Sequence, residues 1–355
     1  MISLIINDRI RDRKVEFFNN FTLNIKYDSI ASSFGFSYFF DSNNQEHVEL
    51  SVPGHFHIAK IDFNGQRLVT GTILSTSAVD DTKKALINLS GYSLPGILED
   101  CSIPPDLYPL QSDGLTLREI ATKITNRFGL GLVVSSSVAS EMDKVIGTTD
   151  IKETQKVKQY LSALTSQRNI ILTHDENGNL VFTRANTTGK PLLNFDRDKS
   201  GVPFIKMTTK YNGQGMQSDI TAMKQADKDG GNAGESTVKN PYVPFVFRPL
   251  VVTQSSGDDN DTEKVARMAV SAELKNFTLT IEMDRWEVNG KVIMPNNTII
   301  VKNPQAQIYI ATKFFIESVK LSGDQKTEKA ILNCVLPEVF NNQTALYIYK
   351  DINLH

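Results

Sequence analysis

Apolar and polar residues alternate along Phe21-Thr22-Leu23-Asn24-Ile25-Lys26-Tyr27, the period of a strand with one face in water. The opening Met1-Ile2-Ser3-Leu4-Ile5-Ile6 runs into Asn7-Asp8-Arg9 and predicts a first strand. It is too short for a signal peptide, with no basic lead and no small-residue cleavage site. The aromatic run Phe34 to Phe40, the alternation from Gln45 to Val52 and the segment Leu86 to Ser90 predict three more strands. Asn64-Gly65, between Lys60–Phe63 and Gln66–Thr70, predicts a tight hairpin because both positions tolerate positive φ. Short strands at this spacing predict a β-sandwich or barrel over residues 1–90.

The pattern changes near Gly91. Thr116-Leu117-Arg118-Glu119 has the spacing of a capping box. Leu117, Ile120, Ala121, Ile124 and Phe128 then share one helical face, and Gly129 supplies a stop. This predicts a helix near 116–128. A second helix is expected near 154–167, with Val157, Tyr160, Leu161 and Leu164 inward, followed by a hairpin at 170–184 turning on Asp175 to Asn179. Residues 91–190 therefore read as a small α/β module.

Strand character returns over 191–340, notably at Phe204 to Thr208, Phe277 to Trp286, Thr298 to Val301, Phe314 to Leu321 and Ala330 to Leu336. The polar, glycine-rich stretch within 227–240 predicts a mobile loop, for want of apolar surface to offset ordering entropy. Pro241, Pro244 and Pro249 punctuate an apolar run holding Phe245, Val246 and Phe247, which predicts strands at sheet edges. A helix is expected near 262–275 with Val265, Met268, Ala269 and Ala272 inward, and residues 341–355 read as a C-terminal tail. The fold class is mainly β with an α+β insertion: two strand-rich regions flanking the α/β module.

Composition narrows the function. At roughly 100–200 residues per domain, 355 residues suggest two or three domains. Lys plus Arg number 38 and Asp plus Glu 40, so the net charge is 38 − 40 = −2. That balance argues against a general nucleic-acid or anionic-membrane binder, which needs excess positive charge. No apolar run reaches the ~18 residues of a bilayer-spanning helix, so no membrane insertion is expected. The two cysteines, Cys101 and Cys334, are far apart and read as reduced thiols, consistent with synthesis in a cytoplasm.

Candidate chemistry is sparse. His55-Phe56-His57 could pair two imidazoles, but no third ligand has matching spacing. Asp258-Asp259-Asn260-Asp261 lacks the glycine and terminal glutamate of a calcium loop, and acids before a helix are stabilised by its positive end. Gly213-Gln214-Gly215 is too short for a dinucleotide fingerprint. Neither a phosphate-loop lysine nor a nucleophile elbow is present. Trp286, the only tryptophan, reads as core. No catalytic, cofactor or metal residues are expected. The candidate interface residues are Phe245, Val246, Phe247 and Arg248, because apolar strand edges call for cover.

Several stretches carry a resemblance. Gly91-Tyr92-Ser93-Leu94-Pro95-Gly96-Ile97-Leu98-Glu99-Asp100-Cys101-Ser102 resembles the G-R-S-x-x-x-x-L-x-D-C-S stretch of Mu-type phage baseplate hub proteins, with Tyr92 where arginine is usual. The helix from Leu115 to Phe128 and the helix–hairpin from 154 to Arg184 are similar to the next blocks of that family. Phe247-Arg248-Pro249, Ala266-Arg267, Trp286, Pro295-Asn296, Val301 with Pro304, and Leu336-Pro337-Glu338-Val339-Phe340 follow in the family's order. Arg285-Trp286 and Ile293-Met294 depart from its usual Gly-Trp and Leu-Trp.

The resemblance implies a homotrimer at the centre of a virion tail baseplate, assembled in the host cytoplasm. Each subunit would contribute two β-barrel-like, tail-tube-like domains, here 1–90 and 191–340. The ring would adapt the sixfold tail tube to a threefold spike and pass the genome. The implied partners are the spike protein, the tail tube protein, other baseplate proteins and the tape-measure protein, with DNA only in transit. A tail-associated cell-wall hydrolase is a rival that needs a carboxylate pair in a cleft. A host-adhesion protein is a second rival, which exposed aromatic platforms would favour.

Overall fold

The computed structural model describes all residues except 1, 9, 16–17, 83, 108–113, 147–153, 167, 198–200, 225–233, 255–260, 325 and 351–355. The chain is mainly β, with helices grouped in one insertion and at a few loops. It divides into two compact units. The first holds Met1–Arg184 and takes back Arg285–Lys291 and Lys320–Ala330; the second holds Ala185–Asp284, Val292–Val319 and Ile331–His355.

Seven strands open the first unit: β1 Ile2–Asn7, β2 Asp12–Val15, β3 Phe18–Lys26, β4 Ser33–Phe39, β5 Ile58–Phe63, β6 Gln66–Asp80 and β7 Ala85–Ser93. They lie in the order β3-β4-β7-β6-β5-β1-β2, every neighbour antiparallel. Alternation works as expected in β1, whose Ile2, Leu4 and Ile6 point into the core. The Asn64-Gly65 hairpin forms with positive φ at both residues. Gln45 to Val52 does not form the expected strand. Asn44 accepts the amides of Glu46 (3.0 Å) and His47 (3.4 Å), and the helix Gln45–Ser51 starts there. A side-chain cap that satisfies free amides outweighs a short alternation.

The α/β module packs within this unit. Thr116 and Glu119 form the capping box, each side chain taking the other's backbone amide. Helices Leu117–Arg127 and Val157–Ser166 bury the faces read from periodicity. Three strands, β8 Leu132–Val134, β9 Ile171–His174 and β10 Leu180–Thr183, form the sheet β8-β10-β9. Asp175 closes the β9–β10 turn by accepting the amides of Asn177 (3.0 Å) and Asn179 (2.8 Å). Ile30, from the end of the β3–β4 connection, lies in the same apolar cluster as Leu98, Leu161 and Phe182. The module therefore shares its core with the strands before it.

The G-Y-S stretch is the seam. A Cβ on Gly91 would run into the Thr72 carbonyl and the Phe34 ring. Buried Ser93 donates to the Ile30 carbonyl (2.7 Å) and accepts the Ser32 amide (3.0 Å). Tyr92 donates to the Asp100 carboxylate at 2.6 Å. Trp286 returns from far along the chain to sit edge-on against Phe21 (5.0 Å) and Phe63 (5.1 Å), its indole N–H on the Lys329 carbonyl (3.1 Å).

The second unit contains β11 Leu193–Asp196, β12 Lys206–Tyr211, β13 Asp219–Lys224, β14 Glu235–Lys239, β15 Pro249–Gln254 and β16 Phe277–Met283. The short pair β17 Glu287–Val288 and β18 Lys291–Val292 begins in the segment returned to the first unit; then come β19 Thr298–Asn303, β20 Ile308–Gly323 and β21 Glu328–Val335, of which residues 320–323 and 328–330 also belong to the first unit. The main arrangement is β12-β16-β21-β20, with β19 antiparallel to β20 and β11 parallel to β19. β16 buries Phe277, Leu279, Ile281 and Met283 on one side.

A smaller sheet, β14-β13-β15, carries the helix Thr262–Glu273, capped by Asp261 accepting the Lys264 amide (3.0 Å). The buried face of that helix is Ala266, Val270 and Ser271, not the set read from spacing; Ala272 is exposed. Of the expected mobile loop, 227–233 lie outside the described residues, and Glu235–Lys239 is a strand paired with β13. Within the expected C-terminal tail, Ala345 and Ile348 are buried and Tyr347 packs on Tyr242, while 351–355 lie outside the described residues. No helix among the described residues is long and apolar enough to cross a membrane.

Candidate interaction surface

Several residues with chemical potential are engaged by the fold. His174 Nδ1 lies 2.9 Å from the Asp175 carbonyl, so that nitrogen carries the hydrogen and donates. Nε2 is then the acceptor for Ser32 Oγ at 2.6 Å. This is a serine–imidazole pair, but Ser32 is buried and its oxygen also accepts the Lys26 amide (3.1 Å). Burial holds the His174 imidazole below its ordinary range, against the pull of Asp175 and Glu176. The rings of His55 and His57 meet edge to face at 5.2 Å. Among the described residues no cluster of three or more His, Cys, Asp or Glu could hold a metal. Asp258, Asp259 and Asn260 lie outside the described residues, and Asp261 is a helix cap. Gly213–Gly215 is one turn of tight helix. Both cysteines are free, Cys334 fully buried and Cys101 partly.

The apolar run around Phe245 is different. The stretch 241–248 forms no strand, contrary to expectation; pairing begins only at Pro249. Its two ends are pinned. Asn240 accepts the Tyr242 amide (3.0 Å) and donates to Glu273 (3.2 Å), whose carboxylate also takes the Gln217 amide (2.8 Å). Burial raises the Glu273 carboxyl above its ordinary range. Tyr242 is buried against Phe277, with its hydroxyl on the Leu346 carbonyl (3.1 Å). At the other end Arg248 exchanges bonds with Ser218, amide to Oγ at 2.8 Å and carbonyl from the Ser218 amide at 2.9 Å. Its guanidinium donates to the Gln214 carbonyl (2.9 Å).

Between these anchors Phe245 is 88% exposed, Val246 55% and Phe247 79%. Burying one such side chain is worth about 1.5–3 kcal/mol, so holding three in water is a standing cost. A pinned backbone prevents local collapse, and the run stays available to another surface. Sequence reading placed this apolar run on a strand edge, and it lies in a loop. The prolines that prompted the strand expectation instead bracket a loop.

The chain has the fold of phage tail proteins. It is similar to the 43 kDa tail protein of prophage MuSo2 from Shewanella oneidensis, at 20% identity and TM-score 0.78, covering 96% of this chain and 99% of that one. It is similar to a tail protein from Neisseria meningitidis MC58, at 19% identity and TM-score 0.77, covering 97% and 99%. It also shares its fold with the Escherichia coli c3393 protein, at 11% identity and TM-score 0.53, covering 90% and 73%. That protein is a component of the type VI secretion system with structural similarity to the T4 tail proteins gp27 and gp5. Residues 95–184, most of the α/β module, match the family model of the baseplate hub protein gp44-like, second domain. No curated protein sequence matches the chain. The chain is thus hub-like in its insertion and tail-protein-like in its fold along nearly its whole length.

Proposed function

We propose that this chain is the central hub of a phage-tail baseplate. Three copies form a ring that joins the sixfold tail tube to a threefold spike around a channel for the genome. The observation that carries the reading is a double one: fold agreement with tail proteins over 96–97% of the chain, and a hub-type insertion within it. Two β units per chain would let three chains present six. The c3393 likeness supports a neighbour on the spike side. Partners are the spike, the tail tube protein, other baseplate proteins and the tape-measure protein, after assembly in the host cytoplasm. With a net charge of −2, the channel wall is neutral or acidic, since basic residues would hold phosphates and slow DNA in transit.

The test is the mass of the purified chain in solution, alone and with the cognate spike protein, followed by imaging of the largest species. A three-chain ring with threefold symmetry in either sample is expected. A single-chain mass in both, or a ring of lysines and arginines facing the lumen, overturns the reading.

A further inference from the structure

Open strand edges are templates for foreign strands, and proteins guard them with charge, brevity or proline. Most open edges among the described residues are guarded. β2 carries Asp12, Arg13 and Lys14, β12 carries Lys206 and Lys210, and β14 carries Glu235 and Lys239. β8, β9 and β11 are three or four residues long. Two edges are left. One is the outer half of β6, which pairs with β5 only as far as Thr72 but with β7 as far as Asp80. From Leu74 to Val79 it reads Leu-Ser-Thr-Ser-Ala-Val, without a charge, and all but Thr76 are exposed. The other is β15, Pro-Leu-Val-Val-Thr-Gln, which among the described residues pairs with β13 alone.

The phase of each ladder shows which backbone groups point outward. Asp81 and Lys84 exchange both amide–carbonyl bonds, at 3.1 and 3.3 Å. Alternation then bonds Val79, Ser77 and Ser75 to β7 and turns the amides and carbonyls of Thr76, Ala78 and Asp80 to the open side. On β15, Arg248 bonds to the β13 side through Ser218. The two-residue period turns Val251 and Thr253 outward, and puts Pro249, which has no amide hydrogen, on the outward side as well.

We propose that these two edges are the halves of a strand-to-strand junction between copies of this chain. The outer segment of β6 in one copy pairs with β15 of the next. This rests on the ring reading above and gives it a contact. The two edges differ, so the junction is head-to-tail, the type that closes into rings, and each copy offers one of each half. β15 continues directly from the Phe245–Phe247 run. At their exposures Phe245, Val246, Phe247, Leu250 and Val251 together offer roughly 500 Å² of apolar surface, most of the ~800 Å² that one side of a standard interface buries. That area favours a second copy over a short peptide.

Cross-linking tests it. One chain carries Ala78→Cys; a second carries Val251→Cys or Thr253→Cys, with Cys101→Ser in all. Treated at high concentration with a short bismaleimide, the mixture should give a two-chain product that neither chain gives alone. No product in the mixture, or a product from the Ala78→Cys chain alone, overturns the junction. The mass of the unaltered chain separates the two ideas: a three-chain species without the cross-link leaves the ring reading standing and removes the junction only, whereas a single-chain mass both alone and with the cognate spike protein, without the cross-link, removes both. Ala78→Pro deletes one outward amide and spares the β6–β7 ladder, so assembly should weaken by about tenfold with the melting temperature unchanged. Ser77→Pro, which breaks that ladder, should lower the melting temperature. Wild-type assembly by the Ala78→Pro chain overturns the proposal.

Discussion

Replacing Phe21 by alanine probes how a remote segment joins the first unit. Phe21 is fully buried in β3. Its ring meets Trp286 edge-on at 5.0 Å and Phe18 edge-on at 5.7 Å, and stacks on Phe36 at 5.8 Å. Removing a buried phenylalanine costs about 3–5 kcal/mol, as lost transfer energy plus the cavity left behind. Three aromatic contacts, each worth about 0.5–1.5 kcal/mol, put this site in the upper half, near 4 kcal/mol. That is a large share of the ~5–15 kcal/mol by which domains are stable. Trp286 is the only tryptophan, so its fluorescence reports this site without a label. Urea unfolding followed at the tryptophan should show the transition moved to much lower denaturant, with red-shifted native emission. A double-mutant cycle with Trp286→Phe, read by circular dichroism, should give a coupling of about 1 kcal/mol. If the Phe21→Ala transition moved by less than about 1 kcal/mol, Trp286 would not be seated on Phe21, and Arg285–Lys291 would not belong to the first unit.

Other changes separate roles in the same way. Tyr92→Phe removes the bond to Asp100 and should cost about 1 kcal/mol, whereas Tyr92→Arg, which can pair with that carboxylate, should melt within a degree or two of the parent. Gly91→Ala drives a methyl into the Thr72 carbonyl and should cost several kcal/mol in thermal unfolding, where an exposed glycine would cost little. His174 stays neutral in the fold while the unfolded chain takes up a proton below about pH 6.5. Stability should therefore be full above that pH and fall as the pH drops through it, and His174→Gln should flatten this part of the profile. Phe245→Asp should leave the melting temperature within about a degree, because the side chain touches solvent, and weaken assembly measured by light scattering.

What was legible in the sequence was local. The capping box at Thr116, the hairpin at Asn64-Gly65 and the faces of both module helices each depend on residues within a few positions of one another. The helix Gln45–Ser51 was misread because a period of two over eight residues cannot be told from chance unless the cap at Asn44 is weighed first. Asn289-Gly290 carries the same positive-φ signature as Asn64-Gly65 and joins β17 to β18, yet its flanking strands are two residues long and give no alternation to notice. The helix Thr262–Glu273 turns its Ala266–Val270 face inward because the small β13 sheet, not the apolar count, decides what it covers. The seat of Trp286 could not be read at all: Phe21, Phe63 and Lys329 come from three distant stretches. For the run around Phe245, residue type showed that it is apolar, and proline misled about its form, which is a loop.

Several of the groups singled out for chemistry in the sequence have structural roles. Ser32 and His174 are bonded to each other, Asp175 closes a turn, Glu273 staples a loop and Cys334 is core. What is left unsatisfied at the surface is of another kind: two aromatic rings and a valine held out by a pinned backbone, and two uncharged strand edges with outward amides and carbonyls. Backbone edges and apolar loops recognise other chains by shape and pairing, and neither can move a proton or polarise a bond. Among the described residues most other open edges are guarded by charge or by shortness, and these two keep outward amides and carbonyls that another strand can pair with.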